Sequence, residues 1–333
     1  MSALGPIAVI TDTGRKRRRN EDAYVCEPPL FAIADGMGGA QAGEVASRLA
    51  AAALRESGAA AGGEERVSDL IQEANRRVYD RSSRDPNTSG MGTTITVALF
   101  ENGLVSIGHV GDSRAYLIRD RALDQLTEDH SLVAELVRTG RLSPEEAETH
   151  PQRSVITRAL GTDPDVDVDS FAVEAKPGDV FLICSDGLTS MVDDETILDV
   201  VERSRAGLDE AAKELIAAAN RNGGEDNITV VFFEVVEEGA QAPSETKPMP
   251  ALDGEPEAAP EADEDTLTEA DHVPAVDTMV VPPEEARAMV AARQPEPPEP
   301  KPHLGVQAAR MVIALAVVAA LLLLVIWLLG QSQ

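Results

Sequence analysis

The chain has 333 residues, enough for one large domain or two small ones with a substantial core. Its 58 acidic residues against 29 lysines and arginines give a formal charge of −29, which argues against nucleic acid as a partner, because phosphate would be repelled before contact. Two cysteines, Cys26 and Cys184, are too few for a disulfide framework or a zinc knuckle; each lies in an apolar run, as a buried thiol in a reducing compartment does.

Taken in chain order, residues 6–12 read as a strand, followed by the basic cluster Arg15 to Arg19 and then Asn20-Glu21-Asp22. The stretch FAIADGMGGAQAGEVASRLA predicts a strand over 30–34, a glycine loop and a helix over 42–56. A dinucleotide crossover begins this way, but Asp35 at the loop tip would repel a pyrophosphate, and Gln41 stands where a GxGxxG counted from Gly36 needs its last glycine. Asp35-Gly36 therefore reads as a cation site. Further strands are predicted over 92–101, 104–110, 114–119, 179–184 and 228–236, and further helices over 66–82, 131–139, 143–149, 194–201 and 208–222. Strands so often follow strands that hairpins, and an α+β fold with antiparallel sheets, are favoured over a doubly wound parallel sheet.

Other carboxylates share the setting of Asp35. Asp112 in HVGDSRAY, Asp186 in FLICSDGL, and Asp226 with Asn227 in GGEDNITVVFF lie at or beside the ends of apolar runs. Any one of these is an ordinary turn residue. Together they predict carboxylates that repel one another unless a cation neutralises them, and an all-oxygen set suits Mg2+ or Mn2+ rather than zinc.

After Val236 the composition shifts to Pro, Glu, Asp and Ala, that of a segment unable to bury enough surface to fold, and residues 239–303 read as an acidic disordered linker. Residues 304–333 contain MVIALAVVAALLLLVIWLLG, residues 311–330, long enough as a helix to cross a bilayer. Lys301 and Arg310 flank it on the N-terminal side only, which predicts a single-pass anchor in the inner or plasma membrane with the large N-terminal part in the cytoplasm.

The ordered series RxxNED, ADGMGG, GMGTT, GHVGDSRAY, TEDHSLV, HPQRSVITRALG, CSDGL and EDNITVV resembles the bacterial branch of the metal-dependent Ser/Thr protein phosphatases of the 2C type, over residues 7–236. The resemblance implies a four-layer αββα sandwich of two antiparallel sheets flanked by helices, formed by residues 1–238. It implies two Mn2+ or Mg2+ ions, or three, bridged by Asp35. Asp186 and Asp226 would complete the first ion's shell, the Gly36 carbonyl would bind the second, Glu21 and Asp22 would act through water, and Asp112 with Asp186 would form the extra position. Asn227 would orient a water and Arg17 would bind the phosphate, leaving its basic neighbours as a solvated face.

The implied reaction is in-line attack on phosphorus by a water that the two metals activate, without a protein nucleophile, on phosphorylated Ser/Thr proteins that include kinases. One departure stands out: Met37 occupies a position where relatives often carry a histidine proposed to protonate the leaving oxygen. His109 and His130 read as structural. A flap over residues 130–165 is expected to govern substrate selection. Thr278, followed at the third position by Val281, is similar to what forkhead-associated domains bind once phosphorylated, although an inert threonine is the plainer reading. The rival functions are a catalytically inactive scaffold with this fold and a phosphatase of an anti-sigma-factor antagonist.

Overall fold

The structure, a computed structural model, describes residues 2–38, 42–205, 207–238 and 279–281. Its strands explain why the apolar runs are nearly continuous. Along β3 (Leu30–Met37), Leu30, Ala32 and Ala34 face one core while Phe31 and Ile33 face another. Along β11 (Val180–Cys184) and β12 (Ile228–Glu237) the same alternation sends Leu182 and Phe232 one way and Ile183 and Phe233 the other. A strand buried on both faces lacks the polar alternation of a surface strand.

Each of those faces meets another layer. One five-stranded antiparallel sheet runs β1 (Ser2–Asp12), β12, β11, β7 (Arg114–Arg119), β8 (Ala122–Gln125). The second runs β10 (Asp169–Glu174), β6 (Leu104–Val110), β5 (Ile95–Glu101), β3, β2 (Asp22–Glu27), with β4 (Gly92–Thr93) paired to β3. Between the sheets Phe31, Phe181 and Phe233 stack, with ring centroids 4.4 and 4.9 Å apart. Helices α1 (Ala42–Ser57) and α2 (Gly63–Arg84) cover the second sheet with Ala46, Ala50, Leu54, Leu70 and Ile71. On the first sheet lie α5 (Asp186–Thr189), α6 (Asp194–Arg203) and α7 (Leu208–Arg221), with Leu188, Ile197, Leu215 and Ala219. The layers are helix, sheet, sheet, helix. Cys184 is buried in the first helical interface, and Cys26 packs partly buried between the sheets.

Several predicted bounds change for physical reasons. The strand expected over 92–101 is split at Thr94, whose N–H donates to the Asp35 carbonyl (2.9 Å) and whose hydroxyl accepts from the Asp35 N–H (3.0 Å). That pairing also carries β3 past residue 34, since Gly36 sits opposite Thr93 and Met37 opposite Gly92. Strands β8 and β10 were missed because they are edges with mostly exposed, polar residues. Strand β2 was missed too, hidden behind the basic cluster.

The expected flap contains α3 (Leu132–Arg138), capped by Ser131, and α4 (Pro144–Glu148), which starts with a Ser143–Glu146 capping box. It closes through β9 (Val155–Ile156). Residues 279–281, which composition assigns to the linker, include a short strand, β13 (Met279–Val280), paired in parallel with β9. The apolar run Met279-Val280-Val281, with its two β-branched valines, within an acidic tract is the reason. The remaining linker residues, Thr278 and the anchor expected over 311–330 lie outside the described residues. Among the described residues no helix is long and apolar enough to cross a membrane.

Candidate active site

Register brings the carboxylates together. Asp22 pairs with Asp35 across β2 and β3, and Ile33 pairs with Thr96, so the end of β3 meets the start of β5. Ile95 pairs with Val110, which puts Asp112 at the same end. In the other sheet Cys184 pairs with Val230 and Asp12 with Ile228, placing Asp186 and Asp226 at one end of β11 and β12. Like charges directly opposite one another on paired strands are destabilising, yet here such a pair is surrounded by three more.

Glycines allow the segments to close on one another. A Cβ on Gly36 would stand 2.1 Å from the Gly43 carbonyl oxygen and 2.7 Å from that of Glu21, so only glycine lets the Asp35 loop lie against the start of α1. A Cβ on Gly187 would meet the Asn227 carbonyl at 2.0 Å, which is how the Asp186 turn packs on the Asp226 turn.

The electrostatics follow from this crowding. Burial, then Asp22, Asp186, Asp226 and Asp112, hold the Asp35 carboxyl well above the usual carboxylate range. Asp186 is raised in the same way by burial, then by Asp112, Asp226 and Asp22. Asp112 is pushed to about 7 by burial and Asp129. Asp22 is pushed to about 6 by burial, against hydrogen bonds from Thr229 (2.5 Å) and Ser185 (2.9 Å) to its Oδ2. Among the described residues its Oδ1 and the Asp186 Oδ1 are buried with no hydrogen-bond partner.

Buried acceptors left unpaired among raised carboxylates, with oxygen donors only, fit a hard divalent cation. Among the described residues no three His, Cys, Asp or Glu side chains already close on one point at ligand distances. Strand ends hold the carboxylates near one another in advance of any ion.

Arg17 brings a guanidinium to this cluster beside Asp226. The loop before it is pinned by Arg15 N–H (2.7 Å) and Lys16 N–H (3.2 Å) to the Gly224 carbonyl, and by a Lys16–Glu225 ion pair at 2.5 Å. Arg17 Nη2 then reaches Asp226 Oδ2 at 2.7 Å. Burial opposes its charge, while Asp226, Glu21 and Asp35 sustain it. Arg15, Lys16, Arg18 and Arg19 are exposed, as expected of a solvated face.

Asn227 is a brace: its Oδ1 accepts from the Glu21 N–H (2.7 Å), and its Nδ2 donates to the carbonyls of Thr13 and Arg19, both at 2.9 Å. The Glu21 carbonyl accepts in turn from the Gly36 N–H (3.2 Å) and the Ser47 hydroxyl (2.5 Å). Sequence reasoning missed Ser185, Thr229, Thr93 and Thr94, which hold Asp22 and the Asp35 backbone. Their signal was their place inside CSDGL, NITVV and GMGTT.

Met37 is 5% exposed against Ile156 and Ala159. His109 bonds Thr96 and the Glu128 carbonyl, and burial with His130 nearby pushes its pKa down to about 3. His130 Nδ1 accepts from the Gly111 N–H at 3.0 Å, and its Nε2 lies 3.1 Å from Asp169 Oδ2 and 2.9 Å from Arg158 Nη1. Both imidazoles are tied into the scaffold. A cleft of about 700 Å3 lies between α2 and the flap, and none of the site carboxylates lines it. The chemistry belongs to the shallow carboxylate cluster.

A two-sheet sandwich with five convergent aspartates and one arginine defines a metal-dependent phosphoryl-transfer class of protein. The model of the family "Protein phosphatase 2C" matches residues 26–228, and the chain belongs to that family of metal-dependent protein phosphatases. It is 45% identical over 236 residues to the serine/threonine phosphatase stp of Listeria monocytogenes, covering 67% of this chain and 93% of that protein. To the serine/threonine protein phosphatase PstP of Mycobacterium tuberculosis it is 43% identical, over 69% of this chain and 45% of that one. A crystal structure of the PstP catalytic domain in complex with two manganese ions superposes with a TM-score of 0.66 at 39% identity, over 71% of this chain and all of that one.

Proposed function

We propose that the chain is a phosphoserine/phosphothreonine protein phosphatase that uses two divalent cations, Mn2+ or Mg2+, transfers the phosphoryl group directly to water, and opposes Ser/Thr kinases from a membrane tether. The observation that carries this reading is the convergence of Asp22, Asp35, Asp112, Asp186 and Asp226, with Arg17 bonded to Asp226. Asp35 would be the carboxylate shared by the ions, and Asp186, Asp226 and the Gly36 carbonyl would hold them with it. Glu21 and Asp22 would hold water, and Asp112 with Asp186 would take a third ion.

Bound there, divalent cations neutralise the carboxylates and supply a water nucleophilic near neutral pH. The chain's own residues orient the substrate. Arg17, aimed by Asp226, presents a planar fork to the phosphoryl oxygens. Met37 closes the Asp35 loop with an apolar side chain that has no proton to give, and both imidazoles are committed to other bonds. The leaving serine or threonine oxygen would therefore draw its proton from a bound water or another group rather than from these side chains.

Manganese-dependent release of phosphate from a phosphothreonine peptide is the test. Turnover unaffected by chelator, or absent with either metal, would refute the assignment. Support for the tether is the apolar run 311–330 with Lys301 and Arg310 before it. A chain cut after residue 239 should keep full activity on free peptides and lose rate on phosphoproteins anchored in the same vesicles; equal rates on both would remove the tether from the mechanism. Thr278 completes the proposal as a kinase site whose phosphorylated form recruits a forkhead-associated domain. Phosphopeptide mapping after treatment with a Ser/Thr kinase checks it, and silence at Thr278 ends that idea.

A further inference from the structure

We propose that the edge of β9, with the apolar pocket beside it, is a strand-binding site for this chain's own residues 279–281, and that the linker is thereby clipped to the flap. The backbone evidence is a parallel pairing, Met279 with Val155 and Val280 with Ile156, continued by the Val281 N–H donating to the Ile156 carbonyl at 3.0 Å. On its other side, among the described residues, β9 makes a single bridge, Ser131 with Ile156. A strand two residues long with an open edge is a template for an added strand.

The side chains agree with the backbone. Val281 is 4% exposed, packed with Leu132 and Leu136 of α3, Val155 of β9 and the partly buried Leu142. Without Val281 this small cluster would present buried-type leucines to solvent. The occupant is thus a named segment of the same chain, an apolar tripeptide in an otherwise acidic tract.

The clip reaches the site through β9. Adjacent residues of a strand point to opposite faces, so while Val155 receives Val281, Ile156 packs on Met37 and Ala159. Met37 is two residues beyond Asp35 and pairs with Gly92 in the same β3 extension that holds the metal loop. A path of direct contacts therefore runs from Val281 through Val155–Ile156 to Met37. The linker, when docked, steadies the flap against the Asp35 loop, and when released, loosens it.

Hydrogen exchange on the full chain in detergent, with no metal needed, tests the clip. It is independent of catalysis, so an inactive enzyme would leave the result readable. In the wild type the Val281 amide should exchange at least roughly tenfold more slowly than an unstructured peptide of the same sequence. Val281→Asp should bring it to the unstructured rate and speed residues 155–157 by roughly tenfold or more, whereas Val281→Ile should keep both protected. Unprotected Val281 in the wild type, or protection that survives Val281→Asp, overturns the proposal. So does loss of protection on dilution, which would mean that the segment docks on a second copy. Exchange in β12 that rises along with the flap in Val281→Asp would show general loosening and would also overturn it.

Discussion

Arg17 holds Asp226 at 2.7 Å with side chains 19% and 25% exposed, and the same carboxylate is one we propose binds a cation. Replacing Arg17 with alanine should therefore move two measurements in opposite directions. At an effective dielectric of about 20, charges ~4 Å apart attract by about 4 kcal/mol; partial exposure and desolvation reduce what such a contact is worth to about 1.5–3 kcal/mol. Transferred to a phosphoryl group, that is a fall of about 10- to 150-fold in kcat/KM on an aryl phosphate. Metal affinity should move the other way. Without a resident cation sharing Asp226 and repelling the ions, Mn2+ should bind about threefold tighter or better at pH 8, above the values of about 6 and about 7 for Asp22 and Asp112. Calorimetric titration and steady-state kinetics on the same preparations measure both, with Arg18→Ala, an exposed neighbour, as the control. Weaker manganese binding together with undiminished kcat/KM would refute the reasoning, and so would an equal loss in Arg18→Ala.

Further outcomes follow from the same site. Asp35→Asn should lower turnover by about a thousandfold or more by removing the carboxylate proposed to be shared by the ions, yet raise the Tm of the metal-free protein by a few degrees, because it relieves a buried repulsion; a lower Tm in chelator would contradict the crowding argument. Asp22 near 6 and Asp112 near 7 in the folded state both lie above the unfolded value of 3.8, so the folded protein holds more protons in that window. Without metal, stability should rise as pH falls from 7 towards 4, whereas manganese affinity should fall over the same range as protons compete; denaturant titrations in chelator and metal titrations across that window measure the two slopes, and a metal-free protein that weakens steadily on acidification would count against the raised values. Asn227→Ala should cost about 2–4 kcal/mol by unbracing the loop from Thr13 to Glu21, and denaturant unfolding should detect it even with metal present.

What was legible in the sequence, and what was not, divides by the range of the interaction. Asp35, Asp112, Asp186 and Asp226 could be found because each closes or opens an apolar run, and a strand end is a local signal. The alternation of Leu30, Phe31, Ala32 and Ile33 between two cores reads from sequence only as an apolar run, so the layering had to come from resemblance. Asn227 stands out in the sequence by its place beside Asp226, but its partners are the backbones of Thr13, Arg19 and Glu21, more than 200 residues earlier in the chain, and no local pattern encodes them. Residues 279–281 were absorbed into the linker because composition averages over a window, and three apolar residues vanish in an acidic one. Their partner is equally faint: Val155-Ile156 is a two-residue strand inside a loop of prolines, glutamates and threonines. Each half lacks a periodic signal and acquires a conformation only from the other. Contacts of that kind can alter the flap without altering any motif, so phosphatases sharing every residue around Asp35 can still differ in how their tails grip the site.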